Sequence, residues 1–266
     1  MEENYIKDNC VYDHDAIDFM CALYEDYGDE SINMFLCDFP YTFKGKNRVT
    51  ANKWDLPIDD KKFFELAMKM LTSDGCIALT ASQPFTSYLV MNHLEYFKYE
   101  WIWEKDNGSN FMHTNHQPMK VHESILIFGK SPTTYNKAEK YMKYNPQFTY
   151  GKAYKVKRSG MTDNLATSNG YERTSGEYGE RRFPRSVLKY NTERGLHQTQ
   201  KPVQLFENMI LNYTDKGDTI VDVSCGSGTT AIAAINTGRN FIVNDNEFKY
   251  VNVTEERINN LNNINS

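Results

Sequence analysis

One stretch near the C-terminal end constrains the fold more than any other. Residues 219–221 read as a short strand that ends at Asp222. The run Asp222-Val223-Ser224-Cys225-Gly226-Ser227-Gly228 follows as a turn, and Thr229 opens a small-residue helix over 229–237. A second strand, 241–243, leads to Asp245. Two strands joined through a helix run the same way, and such a crossover packs back on its own sheet with one handedness. Glycines at such a turn let the chain bend tightly and bring backbone amides close to a ligand at the helix N-terminus. The chain is therefore committed to an α/β architecture.

The first two-fifths share this cadence. Strands are expected at 4–6, 32–37, 76–82, 96–103 and 122–128, and helices at 15–27, 59–71 and 85–92. In the second helix Phe63, Phe64, Ala67, Met70 and Leu71 recur at helical spacing, with Gly75 as the stop. Helices are also expected at 202–213, with Pro202 at its first turn, and at 247–261. This alternation fits an open sheet with helices on both faces. The longest charge-free stretch, 75–94, carries Ser, Thr, Gln, Asn and His with Pro84 in its middle, a poor membrane span. The acidic start MEENY is not a signal peptide, so a cytoplasmic protein is expected. The five cysteines include no CxxC pair, and His113 and His116 lack a third ligand nearby, so neither a disulfide framework nor a metal site is expected.

Periodicity fails between 137 and 194. That segment holds 13 basic and 6 acidic residues, a balance of +7 inside a chain of net charge −5. Tyr141, Tyr144, Phe148, Tyr150, Tyr154, Tyr171, Tyr178, Phe183 and Tyr190 are scattered through it. Cationic side chains contact phosphates and aromatic rings stack on bases, so the composition suits nucleic acid; a solvated insertion would have the same composition.

The glycine turn with Asp245 beyond it points to a nucleoside-bearing cofactor, because a carboxylate at the end of the next strand can bond both ribose hydroxyls. No lysine follows Gly228 as a phosphate-binding P-loop requires, so ATP is disfavoured. A nicotinamide dinucleotide survives on local pattern, with Ala231 at the third glycine position, but its fingerprint ordinarily opens such a domain. S-adenosylmethionine, with a ribose and no pyrophosphate, would use the same loop and acid.

A second constellation, Leu36-Cys37-Asp38-Phe39-Pro40-Tyr41, sits where the best N-terminal strand ends. A carboxylate, a carbonyl beside a proline and an aromatic ring form a polar clamp with a stacking surface, although Asp-x-Pro-Tyr is also a serviceable turn. DFPY, followed late in the chain by HQTQKP and DVSCGSGTT, resembles the amino-group DNA methyltransferases of the circularly permuted beta class. In that family the DPPY motif comes first, a recognition domain lies in the middle and the DPFxGSGTT cofactor loop comes last. NKW at 52–54, TASQPF at 80–85, VHESILIF at 121–128 and KPVQLFENMI at 201–210 resemble its connecting blocks.

The resemblance implies a Rossmann-like, S-adenosylmethionine-dependent methyltransferase fold. Its sheet has seven strands, mostly parallel, with one antiparallel. A catalytic first part would span 1–130, an inserted recognition region 131–194 and a cofactor-binding part 195–266. Asp38 would accept a hydrogen bond from the target amine, the main-chain carbonyl beside Pro40 would take the other proton, and Tyr41 would stack on the flipped base. Gly226 and Gly228 would cradle the methionine part of S-adenosylmethionine, with Asp222 and Ser224 in the same loop. Asp222 would orient the loop and the methionine amino group, and Asp245 would hold the ribose. Thr199, Gln200 and Lys201 would close over the methionine end. In the recognition region Lys155, Lys157, Arg158, Arg181, Arg182 and Arg185 are the candidate DNA contacts. The expected partner is double-stranded DNA, and the resemblance leaves a homodimer open. Asp at position 38 favours adenine N6 as the target, whereas Ser there is more usual for cytosine N4; a cytosine-N4 enzyme and a catalytically inactive DNA-binding relative are the alternatives. The chain departs from the family at Phe39, at Val223-Ser224, at Gln198, and at Asn9-Cys10 with Asp8 one place early, where an Asp-Cys pair is usual.

Overall fold

The segment INMFLC is buried on both sides, which only the centre of a sheet covered on two faces can accommodate. The computed structural model describes residues 6–42, 56–134, 137–156, 176–193, 195–196 and 199–265. In chain order the elements are β1 (Cys10–Tyr12), α1 (Ala16–Tyr27), β2 (Ile32–Cys37), α2 (Asp60–Met70), β3 (Leu71–Ala81), α3 (Phe85–Asn92), β4 (Phe97–Ser109) and β5 (Lys120–Phe128). Then come β6 (Thr149–Tyr150), β7 (Tyr154–Val156), β8 (Gly176–Tyr178), β9 (Arg181–Arg182) and β10 (Val187–Lys189). The chain closes with α4 (Val203–Tyr213), β11 (Thr219–Asp222), α5 (Thr229–Thr237), β12 (Asn240–Asn244) and α6 (Phe248–Asn265).

The chain divides into a larger unit, Met1–Asn145 with Ser186–Ser266, and a smaller one, Pro146–Arg185. In the larger unit one sheet has the order β1-β12-β11-β2-β3-β5-β4-β10. Strand β5 pairs antiparallel with both neighbours, and every other pair is parallel. The sheet has eight strands where seven were expected. The extra one, β10, pairs with β4 through Val187, Leu188 and Lys189, inside the segment assigned to recognition. Residues 131–145 and 186–194 group with the larger unit.

Alternation along β2 and β3 explains the two cores. Phe35, Cys37, Ile77 and Leu79 face a cluster that includes residues of α1, α2 and α3. Met34, Leu36, Cys76 and Ala78 face another, built with α4 and α5. Caps fix the helix starts: the Asp15 carboxylate accepts from Ile17 N at 2.8 Å, and Asp59 from Lys62 N at 3.0 Å. Two expectations need correction. The first strand is at Cys10–Tyr12, while Ile6 of the expected 4–6 strand is outside any strand and residues 4–5 are outside the described ones. Gly75 does not stop α2, because the helix ends at Met70 and β3 begins at once. Gly75 lies within β3, where an added Cβ would meet the Asn33 carbonyl oxygen at 2.8 Å. The glycine serves close strand approach, which the helical pattern before it could not reveal.

Strand order places the site. The last two strands of the chain, β11 and β12, lie between β1 and β2. From β11 the chain crosses over α5 to β12 on one side, and from β2 it crosses over α2 to β3 on the other. The two helices pack on opposite faces, so a crevice opens at the carboxyl ends of β11 and β2. Asp222 ends one strand, and Asp38 follows the other.

Candidate active site

The DFPY segment leaves β2 at that crevice, and its side chains separate by chemistry. Phe39 turns into the core, 3% exposed, with its ring edge-on to Phe63 at 4.9 Å. The unusual second residue of the motif is thus a packing residue. Asp38 and Tyr41 face a cavity of about 760 Å³. The Thr80 hydroxyl donates to Asp38 Oδ1, and Lys201 Nζ lies 2.6 Å from Asp38 Oδ2. Lys201 Nζ is also 3.5 Å from Glu123 Oε2 and 5.3 Å from the Tyr41 ring centroid. Tyr41 stacks near Phe85 and donates its hydroxyl to Glu123 Oε2 at 2.7 Å. Lys105 completes the cluster at 2.9 Å from Glu123 Oε1. The Pro40 carbonyl accepts from Thr42 N at 2.7 Å, whereas the Phe39 carbonyl accepts no backbone hydrogen bond among the described residues.

These contacts set the charge states. Burial opposes ionisation of Glu123, but Lys201, Lys105 and the Tyr41 hydroxyl outweigh it and hold the carboxyl at about 2. Burial likewise disfavours the Lys201 cation, yet Asp38 and Glu123 raise its pKa above the ordinary value. Burial lifts the Tyr41 phenol, with the Asp38 and Glu123 charges adding to it, so Tyr41 stays neutral. Cys37 beside the clamp is fully buried and its thiol is likewise pushed up by burial, as befits strand packing rather than a nucleophile.

The glycine loop forms the opposite wall. Gly226 has φ +52° and Gly228 φ +77°, a region that favours glycine. A Cβ on Gly226 would meet nothing within 4 Å, so the backbone is open there for a ligand to approach. Gly228 does not line the cavity. Its missing Cβ makes room for Thr254 of α6, which an added Cβ would meet at 2.5 Å. Asp222, 2% exposed, accepts from Ser224 N at 3.0 Å and from the Thr230 hydroxyl. Its burial lifts the carboxyl to about 7. Asp245 Oδ2 accepts from Gly226 N at 2.8 Å and Oδ1 from Glu247 N at 3.0 Å, and burial raises this carboxyl as well. The Ser224 hydroxyl donates to the Asp38 carbonyl at 3.3 Å, which ties the loop to the clamp.

Asp38, Pro40, Tyr41, Thr199, Gln200, Lys201, Asp222, Ser224, Gly226 and Asp245 therefore line one cavity, although the chain separates them by up to 207 positions. Lys201 sits on Asp38 and Glu123, a placement its motif did not foretell. Gln200 donates to Glu193 at 3.1 Å, while its buried Oε1 has no partner among the described residues. An open glycine backbone, a strand-end carboxylate and an unpaired acceptor on one wall fit a ligand that carries a ribose and an ammonium group. Asp8 and Asn9 are engaged elsewhere, Asp8 by the Tyr27 hydroxyl and Asn9 by Phe241; Asp15, Ala16 and Ile17 line the cavity instead. Sequence reading missed Glu123, Lys105, and the α6 residues Thr254 and Arg257, which hold the Gly226 and Ser227 carbonyls. Glu123 lies within the VHESILIF block, so a signal existed for it; the others carried none.

In the smaller unit β6 pairs with β9 and β7 with β8. Arg182 donates to the carbonyls of Gly179, Arg181 and Lys152 and lies 4.5 Å from the Tyr154 ring, so its guanidinium braces this unit. Arg181 stacks at 3.8 Å on Phe148, and Arg181, Arg185 and Lys155 are exposed. Lys157 and Arg158, the 52–54 block and His197-Gln198 lie outside the described residues.

A mostly parallel α/β sheet, with an acidic aromatic clamp and a glycine loop facing each other at its switch point, defines a class of nucleoside-cofactor transferases. The DNA methylase family of the N6/N4 type matches residues 32–256. The chain belongs to this family, the amino-group DNA methyltransferases. It is 27% identical to the Type II methyltransferase M2.MboI of Moraxella bovis, over 93% of this chain and 86% of that protein. It is also 27% identical to the DNA adenine methyltransferase YhdJ of Escherichia coli strain K12, over 86% of this chain and 76% of that protein. Among solved structures it is similar to the M1.HpyAVI–SAM complex, with a TM-score of 0.58 and 20% identity over 93% of this chain and 98% of that one. The cytosine-N4-specific PvuII DNA methyltransferase aligns with a TM-score of 0.64 and 15% identity, over 94% and 86% of the two chains.

Proposed function

We propose that this chain methylates the N6 amine of adenine at specific sites in double-stranded DNA, with S-adenosylmethionine as methyl donor. The observation that carries the reading is that the Asp38–Tyr41 clamp and the Gly226 loop with Asp245 share one cavity, joined by the Ser224–Asp38 hydrogen bond.

The bound donor supplies a methyl group on a positively charged sulfur, which needs placement and no acid. The chain's own residues make the amine reactive. The lone pair of an exocyclic amine is delocalised into its ring, and Asp38 Oδ with the Phe39 carbonyl, the one beside Pro40, would accept hydrogen bonds from its two N–H groups; one of these protons is released as the methyl bond passes from sulfur to nitrogen. The nitrogen would then turn tetrahedral, with its lone pair freed for the transfer. Lys201 keeps the Asp38 carboxylate balanced within the crevice, and Glu123 fixes the Tyr41 ring that covers the base. Asp245 would take the ribose hydroxyls; Asp222 and the Gln200 acceptor would take the methionine ammonium. An amine inside a duplex is out of reach, so the base must be extruded at a cost of about a few kcal/mol. The Pro146–Arg185 unit is the proposed site-recognition element, with Arg181, Arg185, Lys155 and the neighbouring Lys157 and Arg158 as its cationic contacts. Among the described residues no helix is long and apolar enough to cross a membrane, and we assign the protein to the cytoplasm, where its substrate is.

Cytosine N4 is the second reading, favoured by the likeness to the PvuII enzyme; the carboxylate at position 38 favours adenine. Modification-sensitive long-read sequencing of DNA from cells expressing the gene, with an Asp38→Ala control, reports base and motif together. Removing one such acceptor costs about a hundred- to a thousandfold in rate. N6-methyladenine at one short motif, absent in the control, is the expected result. N4-methylcytosine would replace the base assignment, and modification unchanged in the control would end the mechanism.

A further inference from the structure

Beyond the clamp, the cavity rim carries an apolar pair that neither the fold nor the chemistry accounts for. Ser109 at the end of β4 and Lys120 at the start of β5 both line the cavity and pair with each other across the sheet. The ten residues between them rise from that rim as a loop. Within it Phe111 is 75% exposed and Met112 is 91% exposed. A large apolar pair this open to water costs solubility and contributes nothing to the core.

The loop is braced, so the exposure belongs to a built shape. Asn110 adopts φ +69°, and its side chain accepts from Lys120 N at 2.8 Å and donates to the Pro118 carbonyl at 3.2 Å. His113 N donates to the Asn110 carbonyl at 2.9 Å, and the Thr114 hydroxyl donates to the Phe111 carbonyl at 2.9 Å. Met119 fills the space over Gly108, where a side chain on the glycine would collide with it. Residues 109–121 contain no acidic side chain and include His113, His116 and Lys120. The HxxH pair that suggested no metal site thus follows the apolar pair directly in an acid-free loop.

We infer that Phe111 and Met112 form a wedge that enters the DNA stack and fills the gap left by the extruded base. This inference rests on the proposed action on duplex DNA. Extrusion leaves a hole beside an orphaned partner base, and apolar side chains inserted between base steps are the side-chain class that occupies such gaps. The loop begins at the cavity that receives the base, the place from which a wedge must act. DNA is the occupant favoured over a second copy of this chain, because residues 109–121 carry no acidic side chain and include Lys120 with the imidazoles of His113 and His116.

The test uses the full chain and a duplex oligonucleotide carrying the motif read from expressing cells. Single-turnover methyl transfer is measured on the paired duplex and on one with an abasic site opposite the target, where extrusion breaks no pairing. Phe111→Ala with Met112→Ala should slow the paired duplex by about tenfold or more, and the abasic duplex by less than about threefold. Met91→Ala, an exposed residue of α3, should change neither rate. With 2-aminopurine at the target position, wild-type protein should raise its fluorescence and the double variant should not. The fluorescence reads extrusion even where no methyl is transferred, so extrusion without methylation would fault the chemistry and leave the wedge standing. Unchanged rates, equal losses on both duplexes, or equal fluorescence would overturn the wedge. A changed oligomeric state in the double variant with equal losses would assign the pair to self-association instead.

Discussion

Glu123→Gln tests the charged cluster behind the clamp more directly than any change to the clamp itself. The substitution keeps the shape and one oxygen acceptor and removes the charge that Lys105, Lys201 and the Tyr41 hydroxyl share. A fall of the Glu123 carboxyl from its ordinary 4.5 to about 2 corresponds to about 3 kcal/mol of folding free energy. That is at the lower end of the roughly 3–5 kcal/mol seen when a buried ion pair loses one partner, and Lys105, only 8% exposed, is the group left uncompensated. The sign with pH follows. A depressed carboxyl stabilises the fold fully above its unfolded pKa, and the contribution is lost as pH falls through the folded value. The gap between wild type and variant should therefore be full above pH 5, with less than about half remaining at pH 3. Urea unfolding followed by the fluorescence of the buried Trp101 and Trp103 measures it. A gap below about 1 kcal/mol at pH 7, or one that does not narrow toward pH 3, would refute the charge assignment. Single-turnover methyl transfer should fall in the same variant while donor affinity stays within about twofold, because Glu123 holds the Tyr41 ring and not the glycine loop.

Asp245→Ala should weaken S-adenosylmethionine binding by about 1.5–3 kcal/mol, the cost of unpairing charge-assisted hydrogen bonds, and calorimetry showing unchanged affinity in a folded variant would remove the ribose assignment. Arg181→Gln with Arg185→Gln should weaken duplex binding and reduce the salt slope by up to about two counterions, as measured by fluorescence anisotropy from 50 to 200 mM salt. Arg182→Gln should instead expose Pro146–Arg185 to proteolysis, since its guanidinium is spent on three carbonyls; protease resistance equal to wild type would contradict that bracing role. Phe39→Pro, which restores the commoner motif, should lower the melting temperature, because a ring 3% exposed against Phe63 is lost at a cost near the roughly 3–5 kcal/mol of a buried phenylalanine truncation. A melting temperature equal to wild type would mean that residue 39 is a mere backbone spacer.

The sequence by itself determined the class of fold and the chemistry of the site, because both are written locally. The buried run of β2, the helical spacing of α2 and the glycine turn after β11 specify their elements within about ten residues each. DFPY and DVSCGSGTT name their side chains whatever surrounds them. Residues 32–37, 85–92 and 229–237 form the elements their patterns predict, with the same bounds. Tertiary structure decided what depends on contacts between distant segments. It put Lys201 on Asp38 across 163 positions, turned Phe39 inward to Phe63, and brought Glu123 to the Tyr41 hydroxyl. It made Gly75 a point of strand approach and Gly228 a packing residue for Thr254. It also spent Arg182 on carbonyls and added β10 to the sheet edge. Periodicity reports which face of an element is buried; it carries no information on which buried neighbour arrives there, and charge pairing and close approach are properties of that neighbour.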